Sequence, residues 1–586
     1  MVYAGGMKRH VPIAALLLVF GLLAGPASSE LPDDLNRALD RLEGWGLSGA
    51  VLQGQAGETR VDRGLGKADR KAGKAFSTET RIPWHSVSKS ATAALLLRLE
   101  QADQLSLDDP LHRHFEQLPR SHGEIRIEQL LTHTSGLAAQ LAHPDHEGPP
   151  EFEDIDRQEL ESRAFASEPM AAPGSAFRYS NLGYNLAAAV AERAGEDDFA
   201  SLLSEQVLEP AGLGETGIGA LESSSREAVG YQDGRSWGRF SERAWSEGQP
   251  GWNLMGSGAV AGPAREMAGW IQALRTDGPL DAEQRRRWQE TRVDKQEGRG
   301  YALGWSTVED TPAGKRIGHE GGFGPFTSKL AWWPEPDQWL AVSLNSNRFH
   351  AVDVVAGLET LIGGQDRRLP PEPGHHPLPE PWAALPAEWR YFTGTGGNEW
   401  RVRRQDDTLV VEAFGPEAVA PIAWPEGVPE ELGGIAGELM SRLRGLAQGE
   451  GRRPSPRDRE ERETMRELGE WLDKHRDLPV QGLCHLGIVP HGDGSELAAH
   501  VALEDDTRMR IHMDRDGHWR GLETDVEAPP ARAVYRARQD GESLHGIETT
   551  RLEATREVRI EADRETAKLH TREGLQLSCS DCAAKP

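Results

Sequence analysis

The sequence predicts an α+β fold: an antiparallel sheet flanked by helices, with a helical lobe set between its two strand-rich ends and a C-terminal β-rich accessory region. Three observations predict it. Residues 48–69 read as two strands joined by a Gly-containing turn. Residues 327–346 read as a second hairpin that turns at residues 334–337, Pro-Glu-Pro-Asp. From about residue 100 to about residue 300 lie helix-forming segments, loops and Pro/Gly punctuation, so the chain leaves a sheet and later rejoins it.

The elements follow in order. Residues 1–29 read as a signal peptide: Lys8, Arg9 and His10 form a basic start, residues 11–25 are apolar, and Ala27, Ser28 and Ser29 are small residues before Glu30. The apolar run is shorter than the roughly twenty residues that span a bilayer, and no later segment is longer, so the mature chain is expected to be periplasmic or secreted, without a membrane span. Residues 30–364 form the first globular domain. A helix is expected to begin near Ser86 and continue to Gln101, and another covers Ala351–Ile362. Residues 365–386 are crowded with proline, which fixes φ and makes a stiff linker. Residues 387–586 read as β-rich. Residues 399–403 and 408–412 look like paired strands, and Arg508–Met513 alternates in period two before a turn at Asp516 and Gly517. Residues 429–475 are charge-dense and either helical or disordered. A chain of 586 residues exceeds what one core holds, which agrees with this division.

The formal net charge of −27 sets the chain against nucleic acid and anionic lipid as partners. Three cysteines, Cys484, Cys579 and Cys582, cannot make a complete disulfide framework. The Cys579/Cys582 pair has no second pair beside it, so it reads as a local disulfide or plain thiols. His143 and His146 lie in an acidic, Pro-containing stretch without a helical metal-binding pattern. No metal and no cofactor are expected.

Three motifs carry chemistry. Lys89 has a serine three positions before it, in Ser86-Val-Ser-Lys89. That spacing sets both side chains on one helical face, and Ser86 in the first turn meets the free N–H groups and dipole that favour a developing alkoxide. A neighbouring amine in its neutral form can take the serine proton. The plain alternative is a capping serine with a solvent-facing lysine. Next, Tyr179-Ser-Asn181 places a phenol and an amide on alternate positions of a loop edge, able to enter one cleft; the alternative is a buried tyrosine and a turn asparagine. Third, Gly318-His319-Glu-Gly321-Gly322 offers close backbone approach at a strand edge and an N–H for an oxyanion hole. Its alternative is a Gly-rich turn with an exposed histidine.

In this order and spacing, the three motifs resemble the signature of class C β-lactamases and the related DD-carboxypeptidases, D-aminopeptidases and esterases, the penicillin-recognising serine hydrolases. Residues 130–137, Pro173-Gly174, residues 256–260 and residues 301–305 look similar too, and the resemblance covers roughly residues 35–363. It implies a β-lactamase/transpeptidase-like fold and a reaction through an acyl-enzyme. Ser86 would be the nucleophile, with Lys89 and Tyr179 sharing general-base and general-acid work. Asn181 would position substrate and Lys89, and His319 would orient Tyr179 or the substrate, with Gly321 beside it. The N–H groups of Ser86 and Gly322 would form the oxyanion hole. One departure bears on substrate: β-lactamases of this class carry Lys-Thr-Gly where this chain has His319-Glu320-Gly321. A glutamate facing the site would repel a substrate carboxylate. The resemblance therefore favours an exported esterase, amidase or D-amino-acid peptidase over a β-lactamase or DD-carboxypeptidase. A reading from another class is an inactive binding or sensing module of the envelope.

Overall fold

The structure, a computed structural model, describes residues 30–364 apart from residues 117, 142–151, 220–224, 233, 243–249, 277 and 297, and beyond them chiefly strands between residues 390 and 578. Residues 1–29, His143, His146, Cys579, Cys582, and most of 365–389 and 429–475 lie outside the described residues.

Helix α1 (Glu30–Gly44) precedes strands β1 (Gly49–Gln55) and β2 (Glu58–Leu65), after which the chain leaves the sheet. The helical lobe contains α2 (Ser88–Gln101) and α3 (Asn181–Gly195). The chain returns through β3 (Val293–Gln296), β4 (Arg299–Tyr301), β5 (Ser306–Val308), β6 (Arg316–Phe323), β7 (Phe326–Trp333) and β8 (Gln338–Leu344), and α4 (Ala351–Ile362) follows. These strands make one antiparallel sheet in the order β3-β4-β5-β6-β7-β8-β1-β2. The chain's two strand-rich ends meet where β1 pairs with β8, Gly49 opposite Leu344 and Gln55 opposite Gln338. Both hairpins and α4 stand where the sequence puts them.

Period-two alternation divides the sheet between two cores. On β7 and β8, Leu330, Trp332, Trp339 and Ala341 face the helical lobe. Ala331, Trp333, Leu340, Val342 and Leu344 face the opposite way, against α1 and α4. Helix α2 is small or apolar on nearly every side: all residues from Ser88 to Leu97, and Leu99, are buried. A helix with no polar face belongs in the middle of a domain, which puts the start of α2 at the junction of lobe and sheet. The register of β5 with β6 ends at Gly318, so β6 from His319 onward runs past β5. There it packs on the segment leading into α2. A Cβ at Gly321 would stand 2.3 Å from the Trp84 carbonyl oxygen and 2.9 Å from Cβ of His85, so only glycine permits this approach.

Beyond residue 364, Arg390–Thr393, Glu399–Gln405 and Thr408–Phe414 join five strands between Ala533 and Ser578 in an eight-stranded sheet. Val480–His491, Gly494–Leu503, Arg508–Met513 and Trp519–Thr524 form a four-stranded sheet. Among the described residues no helix is long and apolar enough to cross a membrane, and no cluster of three or more His, Cys, Asp or Glu side chains is arranged to hold a metal ion.

Candidate active site

Ser86 does not open α2 itself. It sits in the 3₁₀ turn His85–Val87, immediately before the helix begins at Ser88. The tighter turn follows from His85, whose φ of +50° takes the chain through the left-handed region. A residue with a Cβ pays for that conformation with on the order of 1 kcal/mol, and such strain is held in place only by surrounding contacts. His85 has those contacts: it is buried, with its ring edge-on to Phe240 at 4.9 Å. Burial, and then the nearby Lys89, push its imidazole pKa down to about 3, so it is neutral.

The expected pairing of the first motif is present. Lys89 Nζ lies 2.9 Å from Ser86 Oγ and donates to the Ser257 carbonyl at 2.9 Å. Its side chain is fully buried. Asn185 fixes the second partner: its Oδ1 accepts from the Gly256 and Ser257 N–H groups at 3.1 and 3.0 Å, and its Nδ2 donates to the Asn253 carbonyl at 2.7 Å. The second motif joins the same place. Lys89 Nζ stands 4.9 Å from the ring centre of Tyr179 and 5.6 Å from that of Tyr184. Asn181 is the first residue of α3, capped by the Ser180 hydroxyl, which accepts from Gly183 N–H at 2.9 Å. Asn181 Oδ1 is buried and carries no hydrogen bond.

His133, a residue given no role by sequence, organises the Tyr179 segment. It too is left-handed, at φ +57°. Its carbonyl accepts from Arg178 N–H at 2.7 Å, and its Nδ1 accepts from Ser180 N–H at 3.0 Å. Tyr179, held between these two bonds, lays its ring over the His133 imidazole with 4.2 Å between centroids. Burial, followed by the charge of Lys89, holds His133 well below the ordinary histidine pKa. Tyr301, also unassigned by sequence, lies between His133 Nε2 (3.1 Å) and His319 Nε2 (3.0 Å). His319 brings the third motif within 6.5 Å of the Tyr179 ring, centre to centre. The three sequence motifs therefore converge on one place.

With this geometry stands a match to the β-lactamase family over residues 35–364. The chain belongs to the β-lactamase family. Members of that family are serine hydrolases, and the relatives of this chain vary in activity by name. Esterase EstB of Burkholderia gladioli is 35% identical over 203 residues, 32% of this chain and 51% of EstB. The chain thus spans about half the length of that relative. Penicillin-binding protein 4* of Bacillus subtilis is 22% identical over 348 residues, 56% of this chain and 75% of that protein. Among solved structures, the octameric penicillin-binding protein homologue from Pyrococcus abyssi shares the fold: TM-score 0.52 at 16% identity, covering 90% of this chain and 99% of that one.

Within this β-lactamase-family site, one expectation changes. Glu320 does not face the cleft. It is the register partner of Lys329 on β7, and their side chains form an ion pair at 3.6 Å. Lys329 in turn lies opposite Val342, which belongs to the core against α1 and α4. Strand alternation sends His319 and Gly321 to the site and Glu320 to the other side. The predicted repulsion of a substrate carboxylate by Glu320 therefore has no basis. Glu320 instead matters for stability: Lys329 is only 1% exposed, and Glu320→Ala leaves its ammonium in the core, with an expected loss of about 3 kcal/mol. Lys329→Met, which removes the charge and keeps the volume, is expected to cost far less. Urea unfolding of the two variants checks this, and equal losses would contradict it.

Proposed function

We propose that this chain hydrolyses ester or amide bonds through an acyl-enzyme on Ser86. The observation that carries the reading is the buried Lys89 amine at 2.9 Å from Ser86 Oγ. In its neutral form Lys89 takes the hydroxyl proton as Oγ attacks the substrate carbonyl. Oxygen charge develops toward the N–H groups of Ser86 and Gly322, where β6 passes close to the nucleophile turn. The tetrahedral intermediate collapses, the C–O or C–N bond breaks, and the proton held by Lys89 passes by way of the Tyr179 phenol to the leaving alcohol or amine. Water then attacks the acyl-enzyme and gives its proton back through the same pair, which releases the acid and restores Ser86. The free, buried Asn181 Oδ1 is suited to a substrate N–H.

The name and the 35% identity of EstB favour ester substrates first, with amides and D-amino-acid peptides next. The basic start and apolar run of residues 8–25 support export and action in the periplasm or outside the cell. The chain beginning at Glu30, mixed with p-nitrophenyl acetate and quenched in acid, is expected to show an acetyl group on the peptide that contains Ser86. The Ser86→Ala protein should show none. Equal p-nitrophenol release from both proteins, with no acetylated peptide, would overturn the proposal.

A further inference from the structure

Strand β6 presents two unlike ends to Ser86. Its odd positions share one face. That face begins at His319, among the polar side chains of Tyr301 and Tyr179. Gly321 then lets the nucleophile turn approach. The next odd position is Phe323, whose ring stands 6.5 Å from that of His85, the residue before Ser86. Other rings gather there. Phe152 meets Phe323 edge-on at 4.6 Å and Trp237 does so at 6.3 Å. Phe240, edge-on to His85 at 4.9 Å, lies 6.5 Å from Phe323. Trp237 belongs to the strand Arg235–Arg239 and covers the turn after β6: a Cβ at Gly324 would stand 3.0 Å from its indole. His85 and Phe240 are buried, whereas Phe152, Trp237 and Phe323 are only half-buried. A core cluster closes over its rings; this one leaves aromatic surface open beside a nucleophile. His85 Nε2 is buried without a hydrogen bond, and its imidazole is neutral. An apolar guest against it therefore breaks no bond and meets no charge.

Reaction geometry decides which part of a substrate meets these rings. Four groups surround the tetrahedral carbon: Ser86 Oγ, the oxyanion, the leaving group and the acyl substituent. The oxyanion turns to the N–H groups of Ser86 and Gly322. The leaving group takes its proton by way of Tyr179 and so lies toward the polar end of β6. The acyl substituent has the remaining direction, toward Phe323. We propose that Phe323, Trp237, Phe152 and Phe240 form the acyl pocket of this enzyme, and that the pocket selects an aryl-substituted acyl group of arylacetyl size over acetyl or a saturated chain. The preference for a ring follows from the pattern already present. The resident rings meet edge to face with centroids 4.6–6.5 Å apart, and a further ring extends that pattern, whereas a saturated group gains only the area that it buries.

The assignment to the acyl group rests on the acyl-enzyme reading; the affinity of the rings for an aryl group does not, and two measurements separate them. p-Nitrophenyl acetate, cyclohexylacetate and phenylacetate share a leaving group and differ only in the acyl substituent. With the full chain from Glu30, and each rate divided by that of hydroxide, kcat/KM for phenylacetate should exceed that for acetate about thirtyfold and that for cyclohexylacetate about threefold. Phe323→Leu and Trp237→Leu keep apolar bulk at half-buried positions, and each should cut the phenylacetate-to-acetate ratio about fivefold. General damage to the protein lowers both rates together, so a ratio unmoved in both variants would overturn the proposal, as would a wild type that treats cyclohexylacetate and phenylacetate alike. The second measurement needs no turnover. Saturation-transfer NMR of methyl phenylacetate with Ser86→Ala should show contact to the phenyl protons, and this should weaken when Phe323→Leu is added. No contact would overturn the pocket itself. Contact without any Ser86-dependent hydrolysis of the three esters would overturn the acyl assignment and the reaction it rests on.

Discussion

Lys89→Met is expected to lower hydrolysis of p-nitrophenyl acetate by about a thousandfold while leaving the protein folded. Methionine matches the lysine stem in length and is apolar, and the site it would occupy is fully buried beside the rings of Tyr179 and Tyr184. What disappears is the amine at 2.9 Å from Ser86 Oγ. The Ser257 carbonyl loses its donor too, at a cost of about 1–3 kcal/mol for an unpaired buried acceptor. Removal of a buried amine works against that cost, because an ammonium in a dry site is itself expensive. The net shift in melting temperature should therefore be small and of either sign, whereas the rate should collapse. The measurement is kcat/KM beside a thermal melt. Activity within tenfold of wild type would remove Lys89 from the proton transfer and leave Tyr179 as the base.

The second large effect is on stability in mild acid. His85 has a folded-state pKa near 3, against 6.5 when it is free of the fold. Below about pH 6.5 the unfolded chain takes up a proton that the folded chain refuses, so stability is complete above that pH. It falls as pH drops toward 3, by about 1.4 kcal/mol per unit for this one histidine. His133, depressed in the same direction, adds to the slope. Asparagine tolerates a left-handed backbone better than most residues and does not titrate. His85→Asn should therefore narrow the gap to wild type, or pass it, as pH falls from about 6.5 to about 4.5. Urea unfolding at several pH values reads this difference directly, and carboxylates common to both proteins cancel. Parallel curves would mean that His85 charges freely in the folded state.

The parts of the site that were legible in the sequence are those whose geometry is local. Ser86 and Lys89 meet because a helical turn brings positions three apart together, and that holds although Ser86 lies in a 3₁₀ turn rather than in α2 itself. Tyr179 reaches Lys89 from just before the extended Ser180, which caps α3 at Asn181, so this motif too is a matter of neighbouring positions. The hairpin of β7 and β8 announces itself through its proline turn. The His133–Tyr301 bond joins residues 168 apart, and no periodicity or spacing relates them. Their segments resembled the family's, but a role required the sheet to close. The face of Glu320 was hidden for a related reason: which side of a strand a residue takes depends on register, and the register of β6 with β7 is a property of the folded sheet. The same holds for the Ser257 carbonyl as a partner of Lys89, a main-chain atom that no side-chain motif can encode.

Strand β6 carries two interleaved messages. Odd positions, His319 and Gly321, speak to the chemistry; the even position between them, Glu320, speaks to the core behind the sheet. A change of substrate preference can be written at 319 without disturbing the ion pair at 320, and a gain in thermal robustness can be written at 320 and 329 without entering the cleft. A shift of the strand by one residue would exchange the two messages at once: it would bring a carboxylate to the nucleophile and drive an imidazole into the hydrophobic layer against α1 and α4. The tight fit of Gly321 against Trp84 and His85 blocks that shift, so the same small residue that lets substrate approach also keeps the two scripts in phase.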